Sequence, residues 1–307
     1  MTGTPAETGV ARLREADPST EADTLQSVWE SSYAVDDPAS WSRGGWSVAA
    51  WATDTRVLDV RGRVLGIVAV RAEPAPDGAM PVRLALEVAA RTPTHAKLLV
   101  EGAVDLVRKA GAKRARLFVP GRAEWMQAAA RMAGFESVRA IAHMQLPATV
   151  PTPAAAPPDD LKLRTIRDGE DQAVLDALNR NWAGTWNFVE IPMEMLQVDL
   201  DEQRQGMLLA VDDDDRIVAT CHAVYDATRR NPDGGPRAWI SNLTVDPKYR
   251  KRGIARSMLA AGIASLRARG ASSITLGVDA HDPAPFGLYL SVGFEVVTSQ
   301  EAWDKAL

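Results

Sequence analysis

Apolar residues recur at two spacings along the second half of the chain. From Leu161 to Arg167 they alternate with polar ones, the period of a strand with one buried face. Asp168 to Asn181 reads as a helix with Asp168 placed to cap it, and residues 193–204 read as a second helix. Met207 to Val211 is a short apolar strand, Asp212 to Asp215 a turn, and Ile217 to Tyr225 the returning strand of a hairpin. Ala238 to Val245 reads as a further strand. Ile254 to Ala268 then places Ile254, Met258, Leu259, Ile263 and Leu266 on one helical face. Ile274 to Val278, residues 284–292 and Phe294 to Val297 follow as strand, helix and strand. An antiparallel start followed by alternating strands and helices predicts an α/β (α+β) fold, a mixed and mostly antiparallel sheet flanked by helices.

The first half repeats this plan. Ala11 to Asp17 echoes Leu163 to Gly169, and Arg63-Val64-Leu65-Gly66 echoes Arg216-Ile217-Val218-Ala219. Ala110-Gly111-Ala112 echoes Arg269-Gly270-Ala271, and Ala133-Gly134-Phe135 echoes Val292-Gly293-Phe294. The offset drifts only from 152 to 153 to 159, as expected when loops alone differ. Between the halves, Leu146 to Asp160 holds five prolines, an extended and semi-rigid connector. The expected organisation is a tandem duplication: 1–146, a Pro/Ala linker over 147–160, and 161–307.

Composition narrows the function classes. Of 307 residues, 46% are hydrophobic and 24% charged, the balance of an ordinary globular chain. The formal net charge is −5 and no long Lys/Arg run occurs, which argues against a nucleic-acid partner. No apolar run approaches a membrane span, and Met1 to Glu15 lacks an apolar signal core, so no membrane partner and a cytoplasmic location are expected. The single cysteine, Cys221, fits a reducing compartment and reads as a small core residue. No metal spacing is convincing; Asp212 to Asp215 lacks the Gly and Glu of a calcium loop.

The chemistry concentrates in Leu243-Thr244-Val245-Asp246-Pro247-Lys248-Tyr249-Arg250-Lys251-Arg252-Gly253-Ile254-Ala255-Arg256. A strand ends at Val245, Pro247 turns the chain, and a helix begins near Gly253. Free N–H groups in a helix's first turn bind anions, and the helix dipole favours negative charge there. Gly253 lets a phosphate approach the backbone and Ala255 avoids crowding it.

Val245, Pro247, Arg250, Gly253 and Ala255 match Val-x-Pro-x-x-Arg/Gln-x-x-Gly-x-Gly/Ala, and here the sequence resembles the GCN5-related N-acetyltransferase (GNAT) family. A second signature, Asn-x-x-Ala-x-x-Leu-Tyr-x-x-x-Gly-Phe, maps onto Asp282, Pro285, Leu288, Tyr289, Gly293 and Phe294, with Asp282 and Pro285 departing from it. The resemblance covers the whole second half. It implies acetyl-CoA as co-substrate and a small-molecule amine as acceptor, in a monomer or homodimer. It also implies that pantetheine pairs with the strand edge at Leu243, Thr244 and Val245, and that the pyrophosphate rests on the backbone of Arg250, Lys251, Arg252, Gly253, Ile254, Ala255 and Arg256. Asp282, Phe286 and Tyr289 fall beside the pantetheine arm.

Tyr289 occupies the family position of a general acid for the departing thiolate. The base is open among Glu190, Asp199, His222, Tyr225 and a water held by Asn242. The stretch from Asn181 to Glu190 falls where the family places its acceptor loop, so Trp186, Glu190 and Tyr225 are candidate acceptor contacts.

In the first half, Val88 to Ala96 offers no glycine at the phosphate position, and Pro93 removes a backbone donor. Ala130 stands in the place of Tyr289. The first half is therefore expected to be a degenerate copy, with Trp29, Trp41, Trp46 and Trp51 either completing the acceptor site or, the favoured reading, burying an interface between the halves. The tandem plan resembles that of mycothiol synthases, whereas the loop from Trp182 to Glu190 does not, so that acceptor is not carried over. A non-catalytic CoA-binding sensor or scaffold, or a mycothiol-synthase-like enzyme, is the alternative.

Overall fold

The computed structural model describes residues 11–37, 54–70, 74–186, 188–231 and 233–307. Trp41, Trp46 and Trp51 lie outside them. Contacts divide the chain into two compact units, one of residues 1–141 with 298–307, the other of residues 142–297.

The first unit runs β1 (Arg12–Glu15), α1 (Pro18–Asp36), β2 (Asp54–Val60), β3 (Arg63–Val70), β4 (Met80–Leu86), α2 (Pro93–Lys109), β5 (Arg114–Pro120) and α3 (Glu124–Met132). β1 to β4 pair antiparallel in order, and β4 and β5 run parallel. The chain then enters β6 (Glu136–Leu146), whose last residues belong to the second unit. There follow β7 (Lys162–Thr165), α4 (Asp171–Trp182), α5 (Met193–Gln203), β8 (Met207–Val211), β9 (Ile217–Arg230), β10 (Pro236–Val245), α6 (Ile254–Ala268), β11 (Ile274–Asp279), α7 (Pro283–Val292) and β12 (Glu295–Ala306).

The predicted elements of the second half are all present, with three differences. α4 opens at Asp171 behind Glu170 rather than at Asp168, and no side chain caps it. β9 continues to Arg230. The last strand runs to Ala306 instead of ending at Val297.

That longer strand moves the expected boundaries. Residues 300–306 of β12 pair antiparallel with β5, and Trp303 is buried in the core of the first unit with Leu117, Val119 and Phe135. In return Ala142, Met144 and Leu146 of β6 enter the core of the second unit, with Ile274, Leu276 and Phe294. Among the described residues each half has six strands, and its last one is held mainly by the other half's core. The proline-rich segment belongs to the second unit by contact: Ser257 donates to Ala156 O at 2.6 Å and Arg267 to Pro147 O at 2.8 Å.

The helix positions follow the periodicity. Ile254, Met258, Leu259, Ile263 and Leu266 of α6 are all buried. Gly134 and Gly293, matched by the repeat, both take positive φ after their helices. Trp29 is buried in the first unit's own core with Leu25, Val57 and Ile67, stacked on Tyr33 at 4.2 Å.

Candidate active site

β10 carries a defect where the sequence signature begins. Ser241 pairs with His222 of β9 and Thr244 with Thr220, so three steps on β10 match two on β9. Such a bulge re-aims the strand. Asn242 takes φ +49 to make it, a conformation Asn tolerates better than most residues. β10 and β11 pair only at Trp239 with Thr275, so the strands part beyond that point and leave the bulged edge of β10 without a strand partner.

Buried polar side chains hold the bulge from one face. Thr220 donates to Asn242 O at 2.8 Å and lies 2.8 Å from Thr244 Oγ1, which accepts from Asn181 Nδ2 at 3.0 Å. Thr220, Thr244 and Asn181 are all buried, and Asn181 Oδ1 has no partner among the described residues.

At the end of β10, Asp246 caps a short turn over Pro247–Tyr249. Burial would raise the Asp246 pKa, but the Lys248 N–H and the Arg180 and Arg216 guanidiniums outweigh it and hold the carboxyl below its usual range. Lys251 and Gly253 then take φ +63 and +79, and α6 starts behind Gly253 with no side-chain cap. The N–H groups from Lys251 to Arg256 meet no acceptor among the described residues, and a Cβ on Gly253 would meet nothing within 4 Å. This is an open anion cradle beside a bare strand edge.

The basic side chains around the cradle are already engaged. Arg250 donates to Val245 O and Asn181 O, Arg252 pairs with both carboxylate oxygens of Asp160 at 2.6 and 2.8 Å, and Arg256 donates to Ser291 Oγ. Lys251 is exposed and Ile254 is buried in the core. Asp282 caps α7 through Ala284 N at 3.2 Å, and half-buried Phe286 packs on the second unit's core.

Tyr289 is only 7% exposed, edge-on to Phe294 at 5.8 Å, and its hydroxyl has no partner among the described residues. Burial raises its pKa, so it stays a neutral donor at any ordinary pH. On the neighbouring strand Cys221 is fully buried, and burial pushes its thiol up to about 12.

The acceptor candidates are not gathered here. Glu190 is exposed and lines a shallow groove with Gln172, Asp176 and Asn179, the outer face of α4, whereas Asn181 reaches the bulge from the inner face. Asn179 fixes that loop by bonding both N and O of Ile191. Trp186 is half-buried in the same loop. Tyr225 pairs with Ala238, four residues before the bulge, under the Arg269 guanidinium beyond the far end of α6. His222 is buried; its Nε2 donates to Gln203 O at 3.2 Å and its Nδ1 has no partner. Burial lowers its pKa, so it is neutral.

The roles of Asn181, Thr220 and Thr244 side chains were not legible beforehand. A threonine in a buried strand has no distinguishing pattern, and only the bulge gives these a purpose. Asp212 is occupied within its own turn, accepting from Asp214 N and Arg216 N, and no described residues group as metal ligands.

The first unit shows what the second has gained. Across β3 and β4 the register runs unbroken from Val70–Val82 to Gly66–Leu86. α2 begins with Pro93, its cap Thr92 accepts from His95 N at 3.2 Å, and His95 Nδ1 lies 2.8 Å from Ala90 O. The helix end is closed by its own side chains, and no bulge opens the strand.

The second unit thus sets a bulged strand before an uncapped, glycine-started helix on a mixed sheet. Residues 172–294 match the acetyltransferase (GNAT) family. A mycothiol acetyltransferase of Thermobispora bispora is 32% identical over 195 residues, 60% of this chain and 63% of that one. Another, from Acidothermus cellulolyticus, is 30% identical over 194 residues, 59% of each. The match thus spans under two thirds of either relative. In fold, the chain is similar to a GCN5-related N-acetyltransferase of Sphaerobacter thermophilus (TM-score 0.70, 19% identity, 96% and 95% coverage). It is also similar to a tandem GNAT protein from the clavulanic acid biosynthesis pathway (0.67, 17%, 97% and 98%). No described helix is long and apolar enough to cross a membrane.

Proposed function

We propose that the chain is an acetyl-CoA-dependent N-acetyltransferase whose second unit transfers the acetyl group to the primary amine of a small molecule. The observation that carries this is the open backbone cradle from Lys251 to Arg256 beside the bulged edge of β10. The cradle's N–H groups hold the pyrophosphate, and the edge at Leu243 to Val245 orients the pantetheine arm. The thioester supplies the activated acetyl group. Backbone N–H groups at the bulge stabilise charge on its oxygen. Tyr289 hands its proton to the departing sulfur. Asn242 holds water at the opening for the proton lost by the amine. Glu190 stays outside this proposal, because its groove faces away from the bulge.

The relatives are named mycothiol acetyltransferases, so their acceptor heads the list of amines to test. Thiol release from acetyl-CoA over a panel of small amines tests the reading. Amine-dependent release supports it; tight acetyl-CoA binding with no release over any amine favours a CoA-binding scaffold instead.

A further inference from the structure

We infer that Arg250 is a positioning residue that clamps the mouth of the site through the backbone, and is not a ligand of phosphate. Its Nε donates to Val245 O at 3.1 Å and its Nη2 to Asn181 O at 3.2 Å, joining the end of β10 to the end of α4. The signature alone assigns Arg250 to the pyrophosphate side of the loop.

The first unit supplies the independent observation. Arg91 also follows a three-residue turn, Val88–Ala90, as Arg250 follows Pro247–Tyr249. Its Nε donates to Leu86 O, five residues back, as Arg250 does to Val245 O. Its Nη2 donates to Ser32 O in the last two turns of α1, as that of Arg250 does to Asn181 O in α4. Both of these Arg91 distances are 3.4 Å, and the same Nη2 also pairs with Oδ2 of buried Asp36 at 2.8 Å, an ion pair added to the carbonyl contacts that the two arginines share.

Everything an anion would use differs between these two places. Gly253 is replaced by Thr94, the helix starts two residues earlier at Pro93, and Thr92 caps it. A phosphate-binding arginine loses its purpose when the phosphate loop is lost. A clamp between strand and helix does not. The forked guanidinium reaches two carbonyls at once, which a lysine ammonium on its single stem does not reproduce. The clamp on Asn181 O also fixes the residue whose amide supports Thr244 under the bulge, so its loss reaches the site without removing any contact to ligand.

The test compares Arg250→Met, Arg250→Lys and Arg91→Met in the full chain, reading melting temperature and acetyl-CoA affinity at low and high salt. Its binding half rests on the acetyl-CoA reading; its melting half does not. Arg250→Lys is expected to bind within about threefold of Arg250→Met, both about tenfold or more weaker than the parent, with the parent's salt dependence kept. Arg250→Met is expected to lower Tm by about 2–4 °C, and Arg91→Met, which also breaks the ion pair to buried Asp36, to lower it by at least as much while keeping full affinity. Where Arg250→Met does not fold, Arg250→Lys carries both readouts. The inference is overturned if Arg250→Lys binds like the parent while Arg250→Met loses affinity and salt dependence. It is equally overturned if Arg91→Met melts like the parent, or if neither Arg250 variant changes binding. A parent that binds no acetyl-CoA removes the functional reading and leaves the melting comparison to decide the clamp.

Discussion

Thr220 on β9 donates its hydroxyl to the carbonyl of Asn242, the residue that takes the left-handed conformation on β10, at 2.8 Å. The two strands therefore hold the bulge by a side chain where the ladder bond is missing. Thr220→Val leaves that buried carbonyl unpaired, at a cost of about 1–3 kcal/mol. Chemical denaturation should show the loss, and kcat should fall by about tenfold or more as the opening shifts. Because Thr244 shares the network, Thr220→Val and Thr244→Val should combine less than additively. A double variant whose losses sum would mean that the two hydroxyls act independently.

Gly253 holds φ +79 with open space where a Cβ would stand. Gly253→Ala costs about 1–2 kcal/mol from the backbone alone, and the methyl projects into the space assigned to phosphate. Gly253→Asp adds a like charge there and should abolish acetyl-CoA binding. The first unit, with α2 capped by Thr92 and no bulge in β4, should take none. Calorimetry on the parent should give one site per chain; a stoichiometry of two would refute the contrast between the halves.

The exchange of β6 and β12 sets where the chain tolerates cutting. A fragment of residues 159–307 keeps the whole sequence signature but loses Met144 and Leu146 from its core and leaves Trp303 without one. It should aggregate or expose apolar surface, read as dye binding and low yield. Residues 142–297 keep the second core whole and should be the better behaved of the two. A monodisperse, fully active 159–307 fragment would contradict the exchange.

The repeat, the helix faces and the glycine-started helix after β10 were legible because each rests on local rules: periodicity, a glycine with positive φ, a proline that removes a donor. What stayed hidden was long-range. Nothing between Glu295 and Ala306 says that the strand pairs with Arg114–Pro120 and not with its own half, and five prolines marked a boundary that the packing does not obey. Thr220 reads as any buried strand threonine. Arg250 lies in the loop that the signature spans, and its side chain donates to two carbonyls that sequence spacing does not reveal. Glu190 followed the loop's position in the order of elements, and the Asn179 clamp on Ile191 then fixed that loop over the outer face of α4.

Tyr289 gives the sharpest test of the chemistry. Its ring is buried against Phe294 and the core, and its hydroxyl carries the only part of the residue that phenylalanine lacks. If the hydroxyl protonates the departing thiolate, Tyr289→Phe should lower kcat by about 10² with acetyl-CoA affinity nearly unchanged, the low end for a general acid because a thiolate is a good leaving group. A tyrosine that only packs would survive the change in both rate and affinity. The pH profile adds an independent check. Burial raises the phenol pKa above its ordinary value of about 10. The protonated form is the active one, so raising the pKa extends activity upward, and no alkaline loss of kcat from this group should occur below about pH 10. An alkaline limb near pH 8 that disappears in Tyr289→Phe would show a phenol titrating far below the range its burial imposes, and a Phe variant keeping more than about a third of kcat would leave the proton to come from water or another donor.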